Sequence, residues 1–395
     1  MPADRPHSAL DVLYSTSPLL LSTPNTLLAG DRVCTGAQAD DFAVAGLLAA
    51  TDRVCLIGLA FGAAIRTLSS LLPDVHVTAV DIDPVSGSIC VDLYRRYFPK
   101  LDFDFVCRDA LDYLRDAAEK FDVICVDIYL PTGYPEVMSD PEFWSALRER
   151  LAPNGLVLVN CGGLPTYLRP WEPPSPQAAI AALLTKEWPN PRYLVNKRNF
   201  TILLESTEIP ESVIADRAVR ANQFTGADRA ILALLPARLR TAPRLGDLPP
   251  VEPESFTRER IETELDRRWP ELVDSLHAAA TACGVPRIQP ADLVLDARNG
   301  PIVLQRLLDA NSMHADFFAG AASSLAMAGE PAAGWFGDWL CAGADTLRET
   351  NPLWFIQLGL PQALAMVACP LAPRWPWADR LVDLAVRVAQ SNSAL

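Results

Sequence analysis

The residues that could do chemistry are one glycine turn and three acids. "GLAFG" (Gly58–Gly62) removes Cβ atoms at both ends of a turn, so main chain can approach a bound ligand. Asp81 follows about 20 residues later, where a carboxylate suits two ribose hydroxyls, each a donor. Asp109 opens "DALDYL"; an acid there is either a helix N-cap or an acceptor for an adenine amino group. Asp127 opens "DIYLPTG", where a carboxylate either fixes the turn or faces a reacting group. The turn lacks the GxGxxG spacing of phosphate-binding dinucleotide folds and the Lys-Ser/Thr of a P-loop. Glycines and three successive acids without a phosphate cradle point to a nucleoside without phosphates, and S-adenosylmethionine or its decarboxylated relative is the candidate.

These points work together only if one edge of a sheet carries them. Near-continuous apolar runs read as strands covered on both faces: Arg53–Gly58, Val75–Asp81, Phe103–Cys107, Phe121–Asp127 and Gly155–Asn160. Helical patterns separate them at Ala63–Leu72, Pro84–Tyr97, Ala110–Ala118 and Pro141–Leu151. Alternation of this kind gives an α/β, doubly wound, Rossmann-like parallel sheet with right-handed crossovers. Its ligands lie beyond the carboxyl ends of the strands, where Gly58, Asp81, Asp109 and Asp127 fall. A helix around Ala178–Glu187 precedes "RYLVNK" and "NFTILLES", which read as an antiparallel edge hairpin. Ahead of the sheet, "PLLLS" and "TLLAGDRVC" form a short hairpin, followed by a helix from Ala39. The expected organisation is an N-terminal hairpin and helix (1–50), a nucleoside-binding domain (51–205), a Pro-rich linker (206–260) and a mostly helical domain (261–395).

Composition narrows the partners. A net charge of -14 argues against nucleic acid and anionic membrane, since both need a basic face. The nine cysteines form no CxxC pair and have no His at metal spacing, so no metal is expected. Cys55, Cys90, Cys107 and Cys125 fall in apolar patterns and read as buried thiols of a cytoplasmic protein, and no secretory leader is visible in the first residues. The uncharged run from Asn351 to Pro373 is long enough to span a bilayer, but Gln357, Pro361, Gln362 and Pro370 interrupt it; a buried helix pair is expected. Trp269, Trp335, Trp339, Trp354, Trp375 and Trp377 are expected as core of the helical domain.

Residues 33–205 resemble the spermidine synthase (polyamine aminopropyltransferase) family, which pairs a methyltransferase-like fold with a small N-terminal β domain. "CTGAQADDF" (Cys34–Phe42) is similar to the family's CTERDEF, "GLAFG" to GGGDG and "DIDP" (Asp81–Pro84) to EIDP. "DALDYL" (Asp109–Leu114) is intact, "DIYLPTGYPE" (Asp127–Glu136) is similar to DSSDPxGPAE, and "RNFTILL" (Arg198–Leu204) closes the segment. The resemblance implies nucleoside contacts at Gly58, Gly62, Asp81, Asp109 and Ala110, and a catalytic Asp127. Departures fall on the amine side. Phe61 and Leu130 stand where the family has acids, and Val44, Ala45 and Gly46 replace its Tyr-His-Glu type residues. Burying an ammonium without carboxylates costs several kcal/mol, so the diamine site reads as dismantled and the nucleoside site as retained.

The reading that results is an S-adenosylmethionine-dependent group transferase, moving a methyl or other alkyl group to a small acceptor. Phe61, Tyr129, Leu130 and Tyr134 would line the altered acceptor pocket. The alternatives are a divergent aminopropyltransferase using decarboxylated S-adenosylmethionine, and a non-catalytic nucleoside-binding scaffold. A homodimer is kept open as an assembly.

Overall fold

In the computed structural model, the described residues are 19–22, 27–49, 53–72, 74–129, 136–162, 188, 191–196, 199–205, 207–241, 297–298, 300–310 and 314–392. Strands β1 (Leu19–Ser22) and β2 (Leu27–Ala29) pair antiparallel as the expected N-terminal hairpin. The segment from Gln38 then winds as a 3-10 turn to Val44 and as helix α1 (Ala45–Leu48).

The central sheet holds β3 (Arg53–Ile57), β4 (His76–Asp81), β5 (Asp102–Cys107), β6 (Phe121–Val126) and β7 (Leu151–Gly162), all parallel, in the order β5-β4-β3-β6-β7. Val54, Leu56, Val123, Ile124, Val157 and Leu158 are at most 1% exposed, so the central strands are covered on both faces. Helices α2 (Ala63–Leu68), α3 (Pro84–Tyr97), α4 (Ala110–Asp116) and α5 (Pro141–Glu149) make the crossovers. Chain order reverses between β3 and β6, the switch point at which open sheets of this kind take ligands in a crevice beyond the carboxyl ends of the strands.

β8 (Arg192–Asn196) and β9 (Asn199–Glu205) form the expected antiparallel hairpin, with β9 joined to β7. The hairpin is not the edge. β10 (Arg240–Thr241) adds outside β8 and completes an eight-stranded sheet. This corrects the linker expectation over 211–241. That stretch holds helices Glu211–Ala218 and Gly226–Arg238 before β10, and the apolar run Ala230–Ala237 outweighs the surrounding proline and charge. The rest of the expected linker (242–260), residues 261–296 with Trp269, and the helix expected around Ala178–Glu187 lie outside the described residues.

Helix Gly226–Arg238 joins the sheet side to the C-terminal helices. It packs on the Gln38–Val44 turn, on Leu360–Ala368 and on the terminal helix Ala378–Asn392. Val33 and Cys34 donate their N–H groups to Asp228 at 2.8 and 2.9 Å, and Arg32 Nη1 donates to the Ala368 carbonyl at 2.9 Å. The uncharged run from Asn351 is a single helical run, not a pair: Pro352–Trp354, a π-helical turn Phe355–Gly359, then Leu360–Ala368. Pro361 has no N–H for the Gln357 carbonyl, and widening the preceding turn accommodates the ring. Most of this run is buried, and no described helix is long and apolar enough to cross a membrane. Trp335, Trp354, Trp375 and Trp377 are buried core and Trp339 is partly buried. Cys107, expected buried, is exposed because β5 is the other edge strand.

Candidate functional site

The crevice brings Gly58, Gly62, Asp81 and Asp127 to one edge. Gly58 has φ +87° and a Cβ there would stand 2.2 Å from the Asp127 carbonyl oxygen, so neither backbone nor space admits a side chain. Gly62 is left-handed too (φ +81°), and a Cβ would meet Cys90 Sγ at 2.4 Å. Ala60, between them, holds φ +45°, a strained conformation for a residue with a Cβ.

Asp81 explains how the turn holds this shape. The N–H groups of Leu59 and Ala60 donate to its Oδ2 at 2.7 and 3.0 Å, and that of Asp83 donates to Oδ1 at 2.9 Å. The carboxylate thus organises the turn and retains about one of its four lone-pair sites for a ligand. Asp83, not singled out in the sequence, caps α3 by accepting from the N–H groups of Val85 and Ser86. Asp109 is an N-cap: Oδ1 accepts from Leu111 and Asp112 N–H at 2.9 and 3.1 Å. It is exposed, and Ala110 starts the helix beside it. Between these acids Ile82 and Val85 stand 70% and 55% exposed, an apolar surface that could take one face of a purine. The sequence signal for them is the apolar residues on either side of Asp83-Pro84 in "DIDPV", which carry no polar group to mark a site.

Asp127 lies one residue beyond β6 and is half-buried. Asn160, 4% exposed near the end of the neighbouring β7, donates Nδ2 to Asp127 Oδ1 at 2.7 Å. Tyr129, 40% exposed, donates its hydroxyl to the Asn160 carbonyl at 3.0 Å. Burial pushes the Asp127 carboxyl up to about 6; the Asn160 amide pulls it down and the charge of Asp81 pushes it up. A carboxyl at that position exchanges a proton readily near neutral pH. A single Asn at the end of "GLVLVN" carries no motif signal, so the sequence alone does not single out Asn160.

On the amine side, Phe61 is partly buried and packs against the core. Leu130 and Tyr134 lie outside the described residues. Val44 and Ala45 are 0% exposed, and a Cβ on Gly46 would meet the Leu71 Cβ at 2.3 Å, so these three positions are filled by core packing. The acids just before them are structural. Asp40 accepts from the N–H groups of Thr35 and Gly36, and Asp41 pairs with Arg238 at 2.8 Å. Among the described residues no three His, Cys, Asp or Glu side chains converge as metal ligands.

Residues 44–163 match the spermine/spermidine synthase domain. The chain is 33% identical over 132 residues to a probable polyamine aminopropyl transferase of Bifidobacterium longum, covering 33% of this chain and 29% of that one. It is 28% identical over 148 residues to a polyamine aminopropyltransferase of Pseudomonas syringae pv. tomato, covering 34% and 52%. The chain thus spans between about a third and a half of these curated relatives. Among solved structures it is similar to a probable spermidine synthase of Corynebacterium glutamicum (18% identity, 51% of this chain, 75% of that chain, TM-score 0.37). It is also similar to an O-methyltransferase of Bacillus cereus in complex with SAH (13% identity, 43% and 80%, TM-score 0.34).

Proposed function

We propose that this chain, whose central segment carries a spermine/spermidine synthase domain, is an aminopropyl-type transferase. Its donor would be decarboxylated S-adenosylmethionine and its acceptor an amine carrying less charge than a diamine. The observation that carries the reading is Asp127, held by Asn160 beside the glycine turn and poised near neutral pH. The donor supplies an electrophilic carbon next to a sulfonium sulfur. Gly58 and Gly62 let the turn close against Asp127 and Cys90 beside the nucleoside, Asp81 offers its remaining acceptor capacity to the ribose, and Ile82 and Val85 cover the base. Asp127 accepts a hydrogen bond from the attacking nitrogen and orients it. As the nitrogen–carbon bond forms, the carbon–sulfur bond breaks with its electron pair going to sulfur, and Asp127 takes the proton. The lower charge of the acceptor follows from Phe61 and Leu130 in place of acids and from the packed positions 44–46.

One observation favours a second reading, methyl transfer from S-adenosylmethionine. Phe61 stands in the turn where the resemblance places the acid that would pair with the donor's aminopropyl amine.

Calorimetry with S-adenosylmethionine, its decarboxylated form and methylthioadenosine tests the donor, followed by mass spectrometry of products from a panel of mono- and diamines. Tightest binding of the decarboxylated form, a monoamine product one aminopropyl group heavier, and little spermidine from putrescine are expected. Methylated product instead selects the second reading, and no binding of any of the three nucleosides overturns both.

A further inference from the structure

Asp127 and Asn160 stand side by side because β6 and β7 are parallel and in register, with Val126 paired to Val159. The residue following each paired position is therefore delivered to the same place at the sheet edge. Asn160 is nearly fully buried, so its amide cannot turn to bulk water for a partner, and Nδ2 reaches Asp127 Oδ1 at 2.7 Å. Its main-chain carbonyl takes the Tyr129 hydroxyl from the chain just after Asp127. One residue of β7 thus grips both the carboxylate and the start of the loop that follows it.

We infer that Asn160 is a positioning residue for Asp127, fixing one carboxylate oxygen and leaving the other to meet the reacting group. This rests on the reading of Asp127 as the base. Asp127 Oδ2 has no hydrogen-bond partner among the described residues, so the two oxygens are inequivalent. An amide suits this role better than the alternatives. It is neutral, so it adds no charge that would repel a cationic acceptor from Asp127 or trap it there before its nitrogen attacks as the free amine. It presents donors, so it favours the ionised carboxylate that accepts the proton. The groups that bear on the proton affinity of Asp127 are Asp81 from the β4 side and the Asn160 amide on β7; the charge of Asp127 in turn pushes the buried Cys125 thiol on β6 up, and the Tyr129 hydroxyl is turned to the Asn160 carbonyl. Burial and the Asp81 charge favour the protonated form, and the Asn160 amide opposes them.

The test uses Asn160→Leu, which keeps side-chain shape in an apolar strand and removes the donor. The difference in melting temperature between the full-length protein and Asp127→Asn, followed from pH 4 to pH 9, reads the Asp127 titration without any turnover. The same difference measured in the Asn160→Leu background should have its midpoint about one pH unit higher, since a hydrogen bond to a charged group is lost. The acid limb of kcat/KM, measured with the donor and acceptor found above, should move up by the same amount. Asn160→Asp, with the same shape but a second carboxyl, should move the midpoint up at least as far, and serves if the Leu protein does not fold. A midpoint unchanged in both variants overturns the inference. A midpoint that moves in a protein that turns over no nucleoside overturns the proposed reaction and leaves the Asn160–Asp127 coupling standing.

Discussion

The crevice edge and the C-terminal helices solve the same problem, placing polar groups in a packed protein, in opposite ways. At the crevice nearly every acid has a named backbone partner: Asp81 takes three N–H groups, and Asp83 and Asp109 take two each. Among the helices, shape dominates. Cβ atoms on Gly300, Gly334 and Gly337 would stand 2.2, 2.4 and 2.3 Å from the rings of Trp335, Trp375 and Trp377. Buried polar atoms there go unpartnered among the described residues, namely Trp335 Nε1, Trp375 Nε1 and both side-chain polar atoms of Gln362. A region that binds and reacts needs charges held in place by oriented dipoles. A region held by packing is specified by fit and can carry a few unsatisfied groups.

The largest effects come from putting a methyl where each region has none. Gly58→Ala should abolish nucleoside binding and destabilise the protein, because the Cβ meets main chain and the φ is left-handed. Gly337→Ala should destabilise comparably by displacing Trp377, while nucleoside affinity per folded molecule stays unchanged. Chemical denaturation beside calorimetry separates the two, and loss of nucleoside affinity in folded Gly337→Ala would erase the contrast.

Next is Asp127→Asn. Turnover should fall by about 10²–10⁴ with nucleoside binding preserved, the usual range for a positioned base. Its sign on stability is also set. The folded carboxyl titrates at about 6, above its unfolded range, so the stability it contributes is fully present below about pH 3.9 and lost as pH rises through 6. The Asn variant should therefore melt higher relative to the native protein at pH 7 than at pH 4.

Asp81→Ala removes the acceptor of two N–H groups of the glycine turn and of the Asp83 N–H, and should cost about 1.5–3 kcal/mol in nucleoside binding free energy. Amide exchange at Leu59 and Ala60 should rise with it; unchanged exchange would mean that the turn holds without Asp81.

On the helical side, burial pushes the Asp316 carboxyl up to about 7 against the pull of the Trp354 indole. Its stability contribution is likewise present below the unfolded value near pH 3.9 and lost as pH rises through 7. Asp316→Asn should flatten that part of the pH–melting curve and leave nucleoside affinity unchanged. The smallest effect is Gln362→Met, which removes two unpartnered buried polar atoms from a helix and should stabilise by about 1 kcal/mol in denaturant titration.

What the sequence determined by itself is what local pattern encodes. Five apolar runs with helical spacers specify a parallel sheet, because strands buried on both faces must be apolar throughout. Gly58 and Gly62 announce a turn that a Cβ would block, and Pro84 and Pro141 behind Asp83 and Asp140 start helices α3 and α5. The tertiary structure decided what depends on neighbours distant in the chain. Nothing in "GLVLVN" says that Asn160 will face Asp127, since only the register of β6 against β7 brings them together. Asp81 is equally legible as a ribose acceptor, yet its oxygens are largely taken by the turn it faces 21 and 22 residues earlier. The stretch 211–241 reads as a linker on its local content of proline and charge. The stability of helix Gly226–Arg238 comes from the Gln38–Val44 turn and the C-terminal helices packed on it, contacts that no local pattern contains.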